Sequence, residues 1–445
     1  MFVGAAWTRP LAAQTASQPL TLADAVQTAL SKNHAVEAAD AYAEAVKAGI
    51  AVARASRYPR VDFSETVTRG NNPVYVFGSL LSQGQFAAPN FALPFLNYPP
   101  PLNNFRTQFA ASMPLWDAGQ TSRRVKDAHL GSQDAAQAVA RTRQQIIFQV
   151  IQAYLNGLLA RESVRVAEAA LQMAQADLDR AKARQDMGLA VPSDLLSAQV
   201  QLAQAKDDRL RAKNAVALAD AALNVAMGEP EDAPVTLGGG MGEVQFEAGT
   251  LEDRVDRALK ARPDFQQAQI GYDRAENQRR MSRAGYLPAL SIFGSWERDN
   301  QTFLTRGNDN WLAGASLNFN LFDGGAREAR IRESVARRRQ AGAMRSQLAS
   351  TVRLQVREAY LNVTTASDRV TVSRDAASQA EESLRITQNR YEAGLATITD
   401  LLRTETARTT AQKNYMNALF DYRLGYAALE LATGELAADS AAVRQ

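Results

Sequence analysis

The sequence predicts a mainly α-helical protein that carries a few short β-strands and is built from one module used twice. Three observations predict this: a repeat at constant offset, two very long proline-free helical runs, and four short alternating strands. The repeat comes first. Leu115-Trp116-Asp117-Ala118-Gly119 returns as Leu321-Phe322-Asp323-Gly324-Gly325, a shift of 206 positions. The same shift carries Tyr154-Leu155-Asn156 onto Tyr360-Leu361-Asn362 and Gly188-Leu189 onto Gly394-Leu395. It also carries Asp194-Leu195-Leu196 onto Asp400-Leu401-Leu402 and Gly228-Glu229 onto Gly434-Glu435. No insertion separates these landmarks, and long paired rods are what demand such fixed length.

Each half reads helix, strand, loop, strand, very long helix, turn, long helix. Repeat 1 covers 21–229, a linker with Gly238-Gly239-Gly240 covers 230–249, repeat 2 covers 250–436, and 437–445 is a tail. Residues 1–20 read as the remnant of a secretory signal or a disordered N-terminus: Met1 to Ala6 is apolar and Leu11-Ala12-Ala13 is small, but the basic start is missing. The first helix opens at Thr21-Leu22 and its counterpart at Thr250-Leu251, an offset of 229 that Pro59 and Pro288 keep. The excess over 206 is an insertion between the strands of the first half, Asn71 to Asn104. It has no charged residue and six prolines, which forbid a helix across it. Two readings stay open: an extracellular loop over a pore mouth or against the outer leaflet, or a surface loop with its own apolar interior.

The strands alternate. Trp311, Ala313, Ala315, Leu317, Phe319 and Leu321 share one face, and Gly314, Ser316, Asn318 and Asn320 the other. Phe105, Phe109, Ala111, Met113 and Leu115 oppose Arg106, Gln108 and Ser112, while Val61, Phe63 and Val67 oppose Asp62, Ser64, Thr66 and Thr68. The strand around Leu290, Ile292 and Trp296 is less regular, because Phe293 interrupts its polar face. A barrel wall around water alternates in this way. So does a half-buried sheet of a soluble protein. The strands alone do not choose.

The helices say more. Ala326 to Tyr391 contains no proline and one glycine, Gly342, and Thr121 to Met187 is similar. At 1.5 Å per residue each run makes a rod of roughly 100 Å. Apolar residues recur as Ile147, Ile151, Tyr154, Leu158 and as Leu348, Val352, Val356, Ala359, Val363. Spacings of three and four form a narrow coiled-coil stripe. Asp117 and Asp323 stand where strand gives way to helix, placed to accept from free N–H groups, while Gly119 and Gly325 ease the exit. Gly188 and Gly394 end the long helices as left-handed caps, and Ser193 and Thr399 start the return helices.

Composition excludes several function classes. The chain has no cysteine, two histidines (His34 and His129) and a net charge of +3 with its basic residues dispersed. This leaves no thiolate or histidine metal site, no P-loop or dinucleotide fingerprint, and no nucleic-acid footprint. No apolar run is long enough for a membrane-spanning helix, so a membrane role requires a barrel.

Together, the strand pairs, paired rods, mid-chain linker and repeat resemble the TolC-like outer membrane efflux proteins. The carrying motifs are the strand exits Leu115–Gly119 and Leu321–Gly325 and the tips Met187–Leu196 and Tyr391–Leu402. The resemblance runs from about Thr21 to Glu435. It implies a homotrimer whose four strands per chain close a 12-stranded β-barrel, continued by a trimeric α-barrel of coiled-coil helices into the periplasm. It implies a place in the outer membrane of a Gram-negative bacterium, in contact with its lipid. The duct would be the exit of a tripartite efflux pump or type I secretion system, serving a periplasmic adaptor and a proton-driven or ABC inner-membrane transporter. A duct makes no bonds, so neither catalytic residues nor a cofactor nor a metal is expected. By motif position, Asp194, Tyr391, Asp400 and Arg403 are the periplasmic gate candidates. Threefold repetition of Asp400 would make a cation-attracting ring, and Arg403 stands where relatives often carry a second acid. Gly188, Leu189, Gly394, Leu395 and Thr397 match the positions that meet the adaptor. The alternatives are that each Asp caps a helix and that the glycines are only turns. The alternative for the whole chain is a coiled-coil scaffold without a pore.

Overall fold

The computed structural model describes residues 19–188, 190–243, 246–247, 249–303 and 307–444. Residues 1–18, where the signal remnant was expected, lie outside the described residues. The first half runs α1 (Leu22–Lys32), α2 (His34–Ala55), β1 (Arg60–Gly70), α3 (Pro73–Ser82), a 3-10 turn (Ala88–Phe91), α4 (Leu93–Asn97), β2 (Leu102–Trp116), α5 (Gln120–Asp186) and α6 (Pro192–Met227). The second runs α7 (Leu251–Ala261), α8 (Pro263–Ala284), β3 (Ala289–Asn300), β4 (Asn308–Asn318), α9 (Ala326–Glu392) and α10 (Ile398–Thr433). The repeat is exact in length where it matters: α5 and α9 have 67 residues each, α6 and α10 36 each.

The single opening helix expected in each half is two. Thr21 and Thr250 cap α1 and α7 by accepting from Asp24 N at 3.2 Å and Asp253 N at 3.3 Å. The chain then turns extended at Asn33 and Arg262 before α2 and α8 begin. At Arg262 the following Pro263 disfavours the helical conformation, and at both breaks another helix end packs in closely. Gly228 and Gly434, both left-handed at the ends of α6 and α10, back directly against these breaks. A Cβ on Gly228 would stand 2.6 Å from Lys32 O, and one on Gly434 2.8 Å from Arg262 Cα. The Glu after each glycine then pairs with the neighbouring helix: Glu229 with Lys32, Glu435 with Arg254 and Arg257.

The chain divides into two compact units that each draw on both repeats. One comprises the described residues of Met1–Tyr42, Ala136–Gln267 and Ser346–Gln445; the other comprises Ala43–Ala135 and Ala268–Arg345. In the first, the coiled-coil stripe is buried as expected: Ile147, Ile151, Tyr154 and Leu158 on α5, Val352, Val356 and Val363 on α9. Val26, Leu223, Leu419, Leu429 and Leu436 complete the main cluster. The repeated tyrosines hold the connecting segments. Tyr154 Oη reaches the carbonyls of Leu20 and Gly238, and Tyr360 Oη donates to Gly249 O at 3.2 Å. No described helix is long and apolar enough to cross a membrane.

The second unit holds one antiparallel sheet in the order β1-β2-β3-β4, so the β2–β3 ladder joins the two repeats. Phe63, Phe109, Trp296 and Trp311 fall in register across all four strands. Trp311 is 79% exposed on this face. The next row on the same face, Glu65, Thr107, Arg298 and Asp309, is polar but internally paired. Thr107 donates to Glu65 at 2.6 Å and Arg298 to Asp309 at 2.6 Å. Phe293 interrupts the polar face because its ring fills the gap over Gly314, where a Cβ would meet it at 2.8 Å. One boundary differs from expectation. β4 ends at Asn318, so Phe319 and Leu321 lie past the strand as exposed residues of the exit.

The inserted segment also differs. Its prolines do prevent one continuous helix, but Pro73 is the first residue of α3 and Pro89 and Pro94 are second in their short turns, since the first turn of a helix has N–H groups without partners. The insert is tied to the polar face of the sheet. Gln83 Nε2 donates to Asn103 O at 3.0 Å and Asn104 Oδ1 at 2.8 Å, and Asn310 Nδ2 donates to Ser82 O at 3.0 Å. Asn104 in turn donates to the buried Asp299 at 2.6 Å.

Candidate functional site

The strand exits are built by local backbone needs. Asp117 Oδ2 accepts from Thr121 N at 2.6 Å and Oδ1 from Gly119 N at 3.0 Å, while Ala118 and Gly119 take positive φ. Asp323 works differently. Its main-chain carbonyl receives Ala326 N at 3.3 Å, its carboxylate faces Arg327 at 3.8 Å, and Gly324 and Gly325 take the left-handed turn.

The tips lie within the first unit. α5 closes with Gly188 N donating to Gln185 O at 2.9 Å, φ +71°. Leu189 lies outside the described residues. The return helix α6 starts at Pro192 rather than Ser193, with Val191 in the capping position and no side-chain cap. Asp194 sits in its first turn, half-buried, without a hydrogen-bond partner for its carboxylate among the described residues.

The second tip is more fully bonded. Gly394, φ +77°, donates to Tyr391 O at 3.0 Å, and Leu395 N to Arg390 O at 2.7 Å, the double closure of a helix end on glycine. α10 starts after Thr397, not Thr399. Thr397 Oγ1 accepts from Asp400 N at 3.1 Å, and Asp400 Oδ2 receives Thr397 N at 3.1 Å and Thr397 Oγ1 at 2.7 Å, a reciprocal capping box. The Thr397 hydroxyl and N–H, with the charges of Arg403 and Arg390 behind them, hold the Asp400 carboxyl below the usual aspartate range. Arg403 is exposed one turn on. Leu395 is 69% exposed at the turn.

Tyr391 faces inward. It is 6% exposed and packs in a cluster with Ala174, Leu178 and Ala181 of α5, Leu202 of α6, and Ile398 and Leu401 of α10. Here the structure adds residues that sequence reasoning missed. Arg184 of α5 donates to Tyr391 O at 2.9 Å, and its guanidinium lies 4.7 Å above the Tyr391 ring. That contact joins the two repeats at their tips. Arg184 could be noticed beforehand as a basic residue near a helix C-terminus, where the dipole favours it, and as a position that the 206-residue offset repeats at Arg390. Behind it, Asp177 and Glu405 are buried, with the half-buried Arg180 and Arg408 beside them. Burial and the neighbouring Asp177 push the Glu405 carboxyl up to about 8, against the pull of Arg180 and Arg408. Nothing in the repeat marked these four, because the positions 206 away do not repeat them.

Comparison with known proteins places this arrangement. The profile of the outer membrane efflux proteins matches residues 25–229 and 255–435. Protein CyaE of Bordetella pertussis is 26% identical over 336 residues, 72% of this chain and 69% of its own length. Outer membrane protein TolC of Vibrio cholerae is 24% identical over 313 residues, 67% of this chain and 69% of its own. Among solved structures, CusC superposes with a TM-score of 0.79 at 16% identity, covering 94% of this chain and 95% of that one. The outer membrane protein VceC of Vibrio cholerae gives 0.76 at 18% identity, with 93% and 96% covered.

Proposed function

The chain belongs to the outer membrane efflux protein family, and from that premise we infer that it is the exit duct of a tripartite efflux pump or type I secretion system. Its locale is the outer membrane. The duct is a homotrimer: three copies of the four-stranded sheet close a 12-stranded barrel, and the long helices continue it as an α-barrel.

The observation that carries this reading is the pair of free edges on β1 and β4. Among the described residues neither has a strand partner on its outer side, in a sheet whose outer face is aromatic. In hydrocarbon every backbone N–H and C=O group must be satisfied, and closure around a ring removes the edges altogether. Pairing β4 of one copy with β1 of the next does both. Exposed apolar residues along α6 (Leu196, Val200, Leu210, Leu218 and Val225) and along α9 (Leu354, Leu361, Val372 and Ile386) support copy-to-copy contact as well.

The duct catalyses nothing; its working part is the periplasmic gate at the tips. Tyr391, Asp400, Asp194 and Arg403 shape that gate. Gly188, Gly394, Leu395 and Thr397, with Leu189, present the turns to a periplasmic adaptor, and the adaptor couples the duct to an inner-membrane transporter. Electron microscopy of detergent-solubilised particles tests the reading: a threefold hollow cylinder is expected, and a monomeric particle with no lumen overturns it.

A further inference from the structure

Two acids that no gate motif contains are buried side by side where α5 and α10 meet, just behind the tips. Asp177 is 1% exposed and Glu405 6%. Asp177 acts on the Glu405 carboxyl through both its charge and a side-chain hydrogen bond. Asp177 Oδ1 is taken by Arg180, and Asp177 Oδ2 has no donor among the described residues. A buried acceptor without a donor is costly. Two adjacent carboxylates without a proton between them are costlier, because like charges at that distance cannot both ionise cheaply out of water.

Arg180 and Arg408 both face Glu405, and each is shared with other acids. On α5, Arg180 is shared between Asp177 and Glu392 of α9, the latter at 3.8 Å. On α10, Arg408 is drawn to Glu381 of α9 at 3.6 Å. α6 packs Ala198, Leu202 and Ala205, with the half-buried Leu195, into the adjoining hydrophobic cluster. Four carboxylates (Asp177, Glu381, Glu392 and Glu405) thus meet two guanidinium groups.

We propose that Asp177 and Glu405 form a proton-sharing latch that holds α10 against α5 while the gate is closed and loosens when the proton is lost. In the closed tip the Glu405 O–H donates to Asp177 Oδ2. On loosening, that O–H bond breaks and the proton leaves to water. Two carboxylates remain, which separate and hydrate. The latch rests on the reading of the tips as the gate.

The direction of the pH effect follows. Glu405 holds its proton up to about 8 in the closed tip, against 4.5 for an ordinary glutamate. Between those values the closed form binds a proton that the loosened form releases. Rising pH therefore favours loosening across that window, and gains nothing further above it. Each pH unit within the window shifts the closed-to-loosened ratio by up to about tenfold.

The test is single-channel recording of the full-length protein in planar bilayers from pH 5 to pH 9. The wild type is expected to open more often as pH rises, levelling off near pH 8. Glu405→Gln and Asp177→Asn keep the shape and one hydrogen bond but remove the titration; both are expected to give flat profiles, with trimers intact on mild-detergent gels. Asp400→Ala is recorded beside them and is expected to change conductance while keeping the wild-type pH profile. A wild-type pH profile in Glu405→Gln overturns the latch alone. A conductance indifferent to Asp400→Ala, to Glu405→Gln and to pH overturns the latch together with the gate at the tips.

Discussion

The two hairpin tips come from the same repeat, with helices of equal length, yet they are closed by different chemistry. In the second, Thr397 and Asp400 satisfy each other's backbone N–H groups, and Leu395 and Gly394 close the end of α9. In the first, the capping position is Val191, which has no side-chain acceptor, and Pro192 substitutes for capping by removing one N–H that would otherwise need a partner. Asp194, the counterpart of Asp400, is left with a free carboxylate among the described residues. A helix start without its cap is weaker by about 1 kcal/mol. The first tip is therefore the more weakly capped of the two, and the second the better bonded. What ties them together is asymmetric as well: Arg184 of the first clasps Tyr391 of the second.

The largest expected effect comes from emptying the shared core. Leu401 is fully buried beneath the second tip, whereas Leu196 of the first is 61% exposed. Leu401→Ala should destabilise by about 2–5 kcal/mol in denaturant unfolding of the detergent-solubilised protein. Leu196→Ala, at a side chain exposed in the single chain and offered to a neighbouring copy, should cost less, about 1 kcal/mol. Equal effects would mean that the tips are not packed as described.

Exchanging the caps sharpens the comparison. Thr397→Ala removes the capping box and should cost about 1 kcal/mol. Val191→Thr should strengthen the first tip, by at most about 1 kcal/mol, if its hydroxyl reaches Asp194 N as Thr397 reaches Asp400 N. Hydrogen exchange at the first turns of α6 and α10 reads both, and protection that rises in neither tip after Val191→Thr would refute the missing-cap account.

The smallest effect is at low pH. Asp400 titrates below the ordinary aspartate value of 3.8 in the folded tip. Its contribution is then fully present above that value and is lost as pH falls through the depressed one. Exchange protection at the start of α10 should fall on acidification, and Asp400→Asn should abolish that dependence. An unchanged profile in the variant would assign the acid sensitivity to another group.

Much of the fold was legible beforehand. The constant offset of 206 positions announced paired helices of one length, and the stripe from Ile147 to Leu158 named the buried face of α5. Two boundaries were not. At the breaks at Asn33 and Arg262, Gly228 and Gly434 approach from 195 and 172 positions away, a contact no local pattern contains, although Pro263 marks the second break locally. β4 stops short of Phe319 because its partner β3 begins at Ala289, which pairs with Asn318; alternation continues in the chain after the ladder has ended. In the insert, prolines were read as breakers when position makes them starters. At the tips, Gly394, Thr397 and Asp400 could be named from their motif, because caps and turns are local. Arg184, Asp177 and Glu405 could not.

The sequence by itself determined the duplicated module, the rod lengths, the strand alternation and the turn residues. Each of these is set by periodicity or by backbone chemistry within a few residues. Only the tertiary structure decided that the insert is bonded to the polar face of the sheet. The same holds for Arg184, which clasps Tyr391 across the repeats, and for the two acids buried against each other behind the tips. Those outcomes depend on which distant side chains share one low-dielectric volume, and a charge is costly or harmless according to that neighbourhood rather than to its place in the chain.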